Sequence, residues 1–285
     1  MIITACGMSL VMITGGIDIS VGGVVALVSM CCAVYLDFGG GNPYTAILIA
    51  LAIGLGFGLV QGFLVAYLDI QPFIVSLAGM FFARGMTTIV HTNPFNVENE
   101  AFNKLKMTRV IIPGLGSVNK IGKYVDAYVE IGVVVAVLVV IVLFCVLRWT
   151  KLGRAFYAVG GNQQSALMLG INVKRTKFIA HLICSLLAGI GGYVYFLHVG
   201  SGSPSHASGM EMNAIASSII GGTMLTGGVG NIIGTFFGVL SLSTIQNIVS
   251  SAGLDQAWWT GITVAAMLCI FLVVQSVIMA RKKKA

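Results

Sequence analysis

The chain carries nine carboxylates in 285 residues, and one of them, Asp18, stands between two apolar runs in Thr14-Gly15-Gly16-Ile17-Asp18-Ile19-Ser20-Val21-Gly22. A carboxylate among lipid-length apolar segments is costly and rare. Two roles suit it: an N-cap satisfying free backbone N–H groups, or a hydrogen-bonding or gating contact to hydroxyls of a passing solute. Ser20 and Asn231 are the other polar candidates for such a path. Glu211 with Ser208 fits the S-x-x-E capping box, a structural explanation for its charge. Arg84, in the outer half of an apolar run, can snorkel to the interface or pair with a partner outside the membrane.

Other chemistries lack the necessary spacing. His91, His181, His198 and His206 are scattered without metal-ligand intervals, so no metal site is expected. The six cysteines, Cys6, Cys31, Cys32, Cys145, Cys184 and Cys269, all sit inside apolar runs and read as small buried hydrophobes. No G-x-x-x-x-G-K-[ST] occurs, so this chain binds no ATP of its own and holds no cofactor.

The elements that must position these residues are apolar. With 57% hydrophobic and 9% charged residues, and a mean hydropathy of +0.98, the composition is far from the roughly 25% charge of soluble domains. The formal charge of +7 does not signal nucleic acid, because the cations flank apolar spans. Apolar runs cover Ile2–Ile13, Ile19–Leu36, Tyr44–Tyr67, Phe73–Val90, Val129–Leu147, Phe178–Val199, Glu211–Leu225, Gly230–Val249 and Ile262–Met279. The expectation is an all-α polytopic bundle of about nine spans in a single domain. Gly54, Gly58 and Gly62 recur every fourth residue, as do Gly230, Gly234 and Gly238, the pattern of close helix approach in membranes. His91–Tyr128 reads as a long polar connection. Trp258 and Trp259 read as interfacial anchors, with stacking on a sugar ring as the alternative.

Arg148–Lys177 is the long polar passage with cations and no anions, which places it in the cytoplasm together with the basic tail Arg281–Lys284. The 91–128 connection, with Lys104, Lys106, Arg109, Lys120 and Lys123 against Glu98, Glu100 and Asp126, then lies outside despite its modest basic excess. Within the central loop a short helix is expected over Gln163–Leu169, bracketed by Gly160-Gly161 and Gly170. A helix displayed there is a handle for a soluble partner. An internal echo links Met12–Ile17 to Met224–Val229, residue by residue, as in transporters with paired interrupted helices.

Three ordered motifs carry a family resemblance: Thr14–Gly22; Gly153-Arg154 with Tyr157–Asn162 and Gly170-Ile171; and Gly221–Thr223 with Gly227–Gly230. Together they resemble the monosaccharide permeases of bacterial ABC importers, the ribose, xylose, arabinose and galactose type. Phe81-Phe82 with Arg84-Gly85, and Trp258-Trp259-Thr260, resemble the galactofuranose-type permeases. The resemblance implies a multi-pass subunit of the bacterial inner membrane that pairs with a second permease, two cytoplasmic ATPase subunits and a periplasmic sugar-binding protein. The ATPase-coupling residues would be Gly153, Arg154, Gly160, Gly161, Asn162, Gln163, Gln164, Ser165, Ala166 and Gly170. Family members start with a further span, so one span ahead of Ile2 is expected to be missing. The competing reading is an ion-coupled secondary transporter of a small polar solute, whose mid-membrane charges would have to come from Asp18 and Arg84.

Overall fold

The computed structural model describes residues 1–118, 124–253 and 257–282. Lys120 and Lys123 and the end of the basic tail fall outside them. Paired glycines and short caps set the helix ends. The first helix, α1 (Ile2–Ile13), stops at Thr14, and Gly15 follows at φ 83°. After the break come α2 (Val21–Asp37) and α3 (Pro43–Tyr67). Asn42 caps α3 by accepting from the Tyr44 N–H at 3.0 Å, with Pro43 at the first helical position. A tight turn with Asp69 at φ 52° leads into α4 (Pro72–Val90).

The 91–128 connection differs from the expected irregular loop. It contains β1 (Phe95–Asn96), α5 (Glu100–Lys106) and β2 (Arg109–Val118), and it is followed by β3 (Tyr124–Glu130). Strands β2 and β3 pair antiparallel from Arg109↔Glu130 to Val118↔Tyr124, with a register shift between Ile112 and Gly116. The β-branched and aromatic residues Val110, Ile111, Ile112, Tyr124, Val125 and Tyr128 favour extended backbone, and the shift falls around Pro113 and Gly114, where ladder bonding is lost. The chain is therefore mostly helical rather than purely α.

Next come α6 (Ile131–Trp149), α7 (Lys151–Gly161), α8 (Gln163–Met168) and α9 (Val173–Val199), which ends on Gly200 at φ 75°. Strand β4 (Ser201–Gly202) pairs back to β1, and α10 (Met210–Ile220), α11 (Ile232–Ser251) and α12 (Ala257–Lys282) complete the chain.

Among the described residues six helices are long and apolar enough to cross a bilayer: α3, α4, α6, α9, α11 and α12. The other three runs behind the nine-span expectation are α1, α2 and α10, of 12, 17 and 11 residues. At about 1.5 Å per residue these fall short of a roughly 30 Å hydrocarbon core. Helices α1 and α2 are nonetheless the most deeply buried, with 11 of 12 residues inaccessible in α1 and 13 of 17 in α2. They form the centre, and the longer helices surround them.

The widest contact joins α3 to α9. A Cβ built at Gly58 would lie 2.9 Å from Leu182 Cα, and one at Gly54 2.7 Å from the Ser185 carbonyl oxygen; Gly62 faces Phe178. Gly234 and Gly238 meet the backbone of Gly221, which caps the end of α10, and of Ser217 within it. Gly230 departs from the expected stripe: it precedes α11 and packs on Ile13 and Thr223.

Candidate functional site

Two polar regions and one glycine junction concentrate the residues singled out above. The junction lies where the chain breaks twice. The Gly228 N–H donates to the Ile13 carbonyl at 2.8 Å, so the two echoed segments, Met12–Ile17 and Met224–Val229, touch through backbone. Gly160 of α7 is wedged between them: a Cβ there would collide with the Ile13 carbonyl and stand 2.5 Å from Gly228 N. Tyr157 adds a hydrogen bond from its hydroxyl to the Gly230 carbonyl at 2.9 Å, and burial pushes its phenol pKa upward. Deeper in, Ser9 of α1 bonds Ser218 of α10 at 2.9 Å and Thr235 of α11 at 2.6 Å. Inside the bundle such polar atoms must find partners within the protein.

The basic passage Arg148–Lys177 is two helices rather than a loop with one. Helix α7 begins at Thr150, whose hydroxyl accepts from the Gly153 N–H at 3.2 Å, and Gly160-Gly161 form its last two residues. Asn162, not the glycine pair, makes the corner: its side chain accepts from the Ser165 N–H at 2.9 Å and caps α8. Gly170 at φ 77° turns the chain out of α8. Helix α8 buries Ala166 but leaves Leu167, Met168 and Leu169 60%, 87% and 78% exposed. Gln164 is exposed, and Gln163 accepts from the Lys177 ammonium at 3.1 Å. Arg148, Arg154, Tyr157 and Asn231 line one cavity of about 470 Å³ between α6, α7 and the start of α11. Asn231 itself caps α11, accepting from the Ile233 N–H at 3.0 Å.

Asp18 and Ser20 are fully buried. Asp18 does not cap α2; its Oδ1 accepts from the Ser20 N–H at 3.0 Å and the Ser20 hydroxyl at 2.6 Å, closing a turn just before the helix. The Ser20 hydroxyl also accepts from Gln61 Nε2 at 2.9 Å. His181 and Cys184 of α9 lie within electrostatic reach of Asp18. Sequence spacing had left His181 without a role; only the packing of α9 on the α1–α2 break reveals the neighbour.

Arg84 does not snorkel. Its guanidinium donates to the carbonyls of His206 and Ala207, the latter at 2.8 Å. It thereby holds the 203–209 loop against α4 and α2, where the Ala207 carbonyl lies against Gly22. Ser208 caps nothing: α10 starts from Gly209 at φ 77° with no side-chain cap, and Glu211 packs onto Gly22 with Oε2 buried and unpartnered. Gln246 donates to Asn213 at 3.3 Å. Trp258 and Trp259 are exposed. Among the described residues no cluster of His, Cys, Asp and Glu could hold a metal.

Comparison with known proteins fits this architecture. The chain is 35% identical over 273 residues to the inner membrane ABC transporter permease protein YjfF of Escherichia coli K12, covering 96% of this chain and 79% of that one. It is 36% identical over 281 residues to the fructose import permease FruG of Bifidobacterium longum, covering 98% and 80%. The ribose import permease RbsC of Escherichia coli K12 is 34% identical over 271 residues, covering 95% and 81%. No solved structure gives a significant match. The model of the family described as branched-chain amino acid transport system / permease component matches residues 1–272. With six helices among the described residues long and apolar enough to cross a bilayer, and that match over nearly its whole length, the chain belongs to this permease family and is a multi-pass protein of the inner membrane.

Proposed function

We propose that this chain is the membrane-spanning half of an ATP-driven importer for a monosaccharide, working by alternating access beside a second permease. The relatives named for fructose and ribose import support the substrate class. The observation that carries the mechanism is the wedge of Gly160 between the two helix breaks. A cytoplasmic ATPase gripping the exposed Leu167-Met168-Leu169 edge of α8 would move α7, and α7 cannot move without displacing both breaks. Gly153, Arg154, Asn162, Gln163, Gln164, Ser165, Ala166 and Gly170 would shape and orient that handle. A periplasmic binding protein delivers the sugar, ATP is consumed by the ATPase pair, and alternating access is a shift between two packings.

Helix α8 tests the reading. Met168→Asp places a charge on the handle without touching the bundle. It should leave the protein in the membrane at normal levels while removing sugar uptake and co-purification of the ATPase. Uptake at the unaltered rate would refute the proposed coupling route.

A further inference from the structure

The cavity of about 470 Å³ between α6, α7 and the start of α11 is lined by two cations and by no carboxylate: Arg148 comes from the end of α6 and Arg154 from α7. Neither guanidinium donates a hydrogen bond or joins an ion pair; among the described residues the one ion pair is His198 with Glu130 at 2.9 Å. Asn231 uses its amide oxygen to cap α11, which leaves its amide N–H groups without a partner among the described residues. Three elements thus bring donors to one cavity whose walls supply no anion. The N-terminal end of the 20-residue α11 adds partial positive charge to the same wall.

A second cavity, of about 610 Å³ near the other end of α6, gives the contrast. There the Lys106 ammonium donates to the Val199 carbonyl at 3.0 Å, the Arg109 guanidinium lies 3.8 Å over the Tyr128 ring, and His198 is paired with Glu130. Those cations are satisfied within the protein, whereas Arg148 and Arg154 are not.

Depth and polarity decide what anion suits the first cavity. Arg148 stands in the last turn of a membrane-length apolar helix. Its neighbour Trp149, 69% exposed, packs edge-on against Phe144 with ring centroids 6.1 Å apart. Trp and Arg at the end of such a span mark the headgroup layer. Phe144, Leu147 and Ile232 give the cavity an apolar wall, and farther along the same helices Leu138, Ile141 and Phe237 are exposed. Unpaired cations beside apolar surface at that level suit an amphiphile better than a soluble ion.

We infer that this cavity binds the headgroup of an anionic phospholipid, its phosphate taken by Arg148, Arg154 and the Asn231 amide and its acyl chains lying along α6 and α11. Guanidinium forks match phosphate oxygens, and basic pockets between spanning helices on the cytoplasmic side hold such headgroups. A zwitterionic lipid brings a cation of its own and neutralises neither arginine. The bound lipid ties α7 to two spanning helices. The site stands on the packing of α6, α7 and α11 and does not need the proposed transport function.

The test uses the full chain carrying Trp258→Phe and Trp259→Phe, which leaves Trp149 as the one indole, in phosphatidylcholine vesicles. Quenching of Trp149 should show a several-fold preference for brominated phosphatidylglycerol over brominated phosphatidylcholine. Arg148→Gln should lower that preference by roughly fivefold, and adding Arg154→Gln should abolish it. Arg148→Lys with Arg154→Lys keeps the charge and should retain part of it. Lys174→Gln with Arg175→Gln removes the same charge from the start of α9 and should leave the preference unchanged. Excess inorganic phosphate at constant ionic strength should leave it unchanged too; loss of the preference there would assign the cavity to soluble phosphate and overturn the lipid. Equal quenching by the two brominated lipids would also overturn the inference. So would a preference that survives the double Gln variant at Arg148 and Arg154, or one lost equally in the Lys174 and Arg175 variant.

Discussion

Arg84 shows how a single residue can hold a loop against the helical bundle. Its guanidinium donates to the His206 and Ala207 carbonyls, the latter also accepting from the Met210 N–H at 3.2 Å. Hydrogen bonds to a charged group are worth about 1.5–3 kcal/mol. Arg84→Leu is expected to destabilise the protein by about 2–3 kcal/mol, read as a lower midpoint in denaturant, while Arg84→Lys should recover only part because one ammonium replaces a fork of donors. Glycine positions divide by what surrounds them. Gly58→Ala puts a methyl 2.9 Å from Leu182 Cα and should cost about 1–3 kcal/mol through overpacking. Gly56→Ala meets open space and is expected to be neutral to slightly stabilising; the same unfolding assay distinguishes them.

At the scale of elements, the α7–α8 pair is held at its inner end and free at its outer one. Gly160→Ala drives a methyl into the Ile13 carbonyl, so the two breaks must separate or α7 must shift. Under the proposed mechanism uptake falls at least tenfold while the ATPase still co-purifies, the reverse of the Met168→Asp result. Much of this was legible in sequence: every apolar run is a helix, and α8 begins at Gln163 as expected. Helix α7 escaped because Lys151–Gly161 ends in two glycines, poor helix formers; here the second-rate propensity is overruled by the close backbone approach that only glycine permits. The β2–β3 ribbon was hidden by Pro113 and the glycines around it. At the polar sites, local spacing drew attention to Asp18 and could not show that Gln61, 43 residues away along the chain, bonds the Ser20 that Asp18 engages, or that His181, 163 residues away, packs beside Gly16. The capping reading of Ser208 failed because Gly209 supplies a left-handed entry to α10 that a serine cap does not need.

On the scale of the whole molecule, the proposed orientation puts α8 and the β2–β3 ribbon on opposite sides of the membrane. A cysteine at Leu167 should react with a membrane-impermeant thiol reagent only after the inner face is opened, and one at Tyr128 should react in intact spheroplasts. The same labelling of both sites from outside would reverse or dismantle the topology. Of the six native cysteines Cys6, Cys32 and Cys184 are buried, Cys31 and Cys145 half-buried and Cys269 exposed, so Cys269→Ser provides a quieter background.

The seam between α3 and α9 has a bearing on how the chain is made. Helix α3 leaves the ribosome with its notch of Gly54, Gly58 and Gly62 empty, and the helix that fills it begins at Val173. More than a hundred residues of translation separate the two halves of one joint. Newly inserted helices must wait in the bilayer for their counterpart, which makes the nascent protein a ready target for quality-control proteases until α9 arrives. A product halted before residue 173 should be short-lived in a pulse-chase experiment, and supplying residues 173–285 as a separate polypeptide should lengthen its survival.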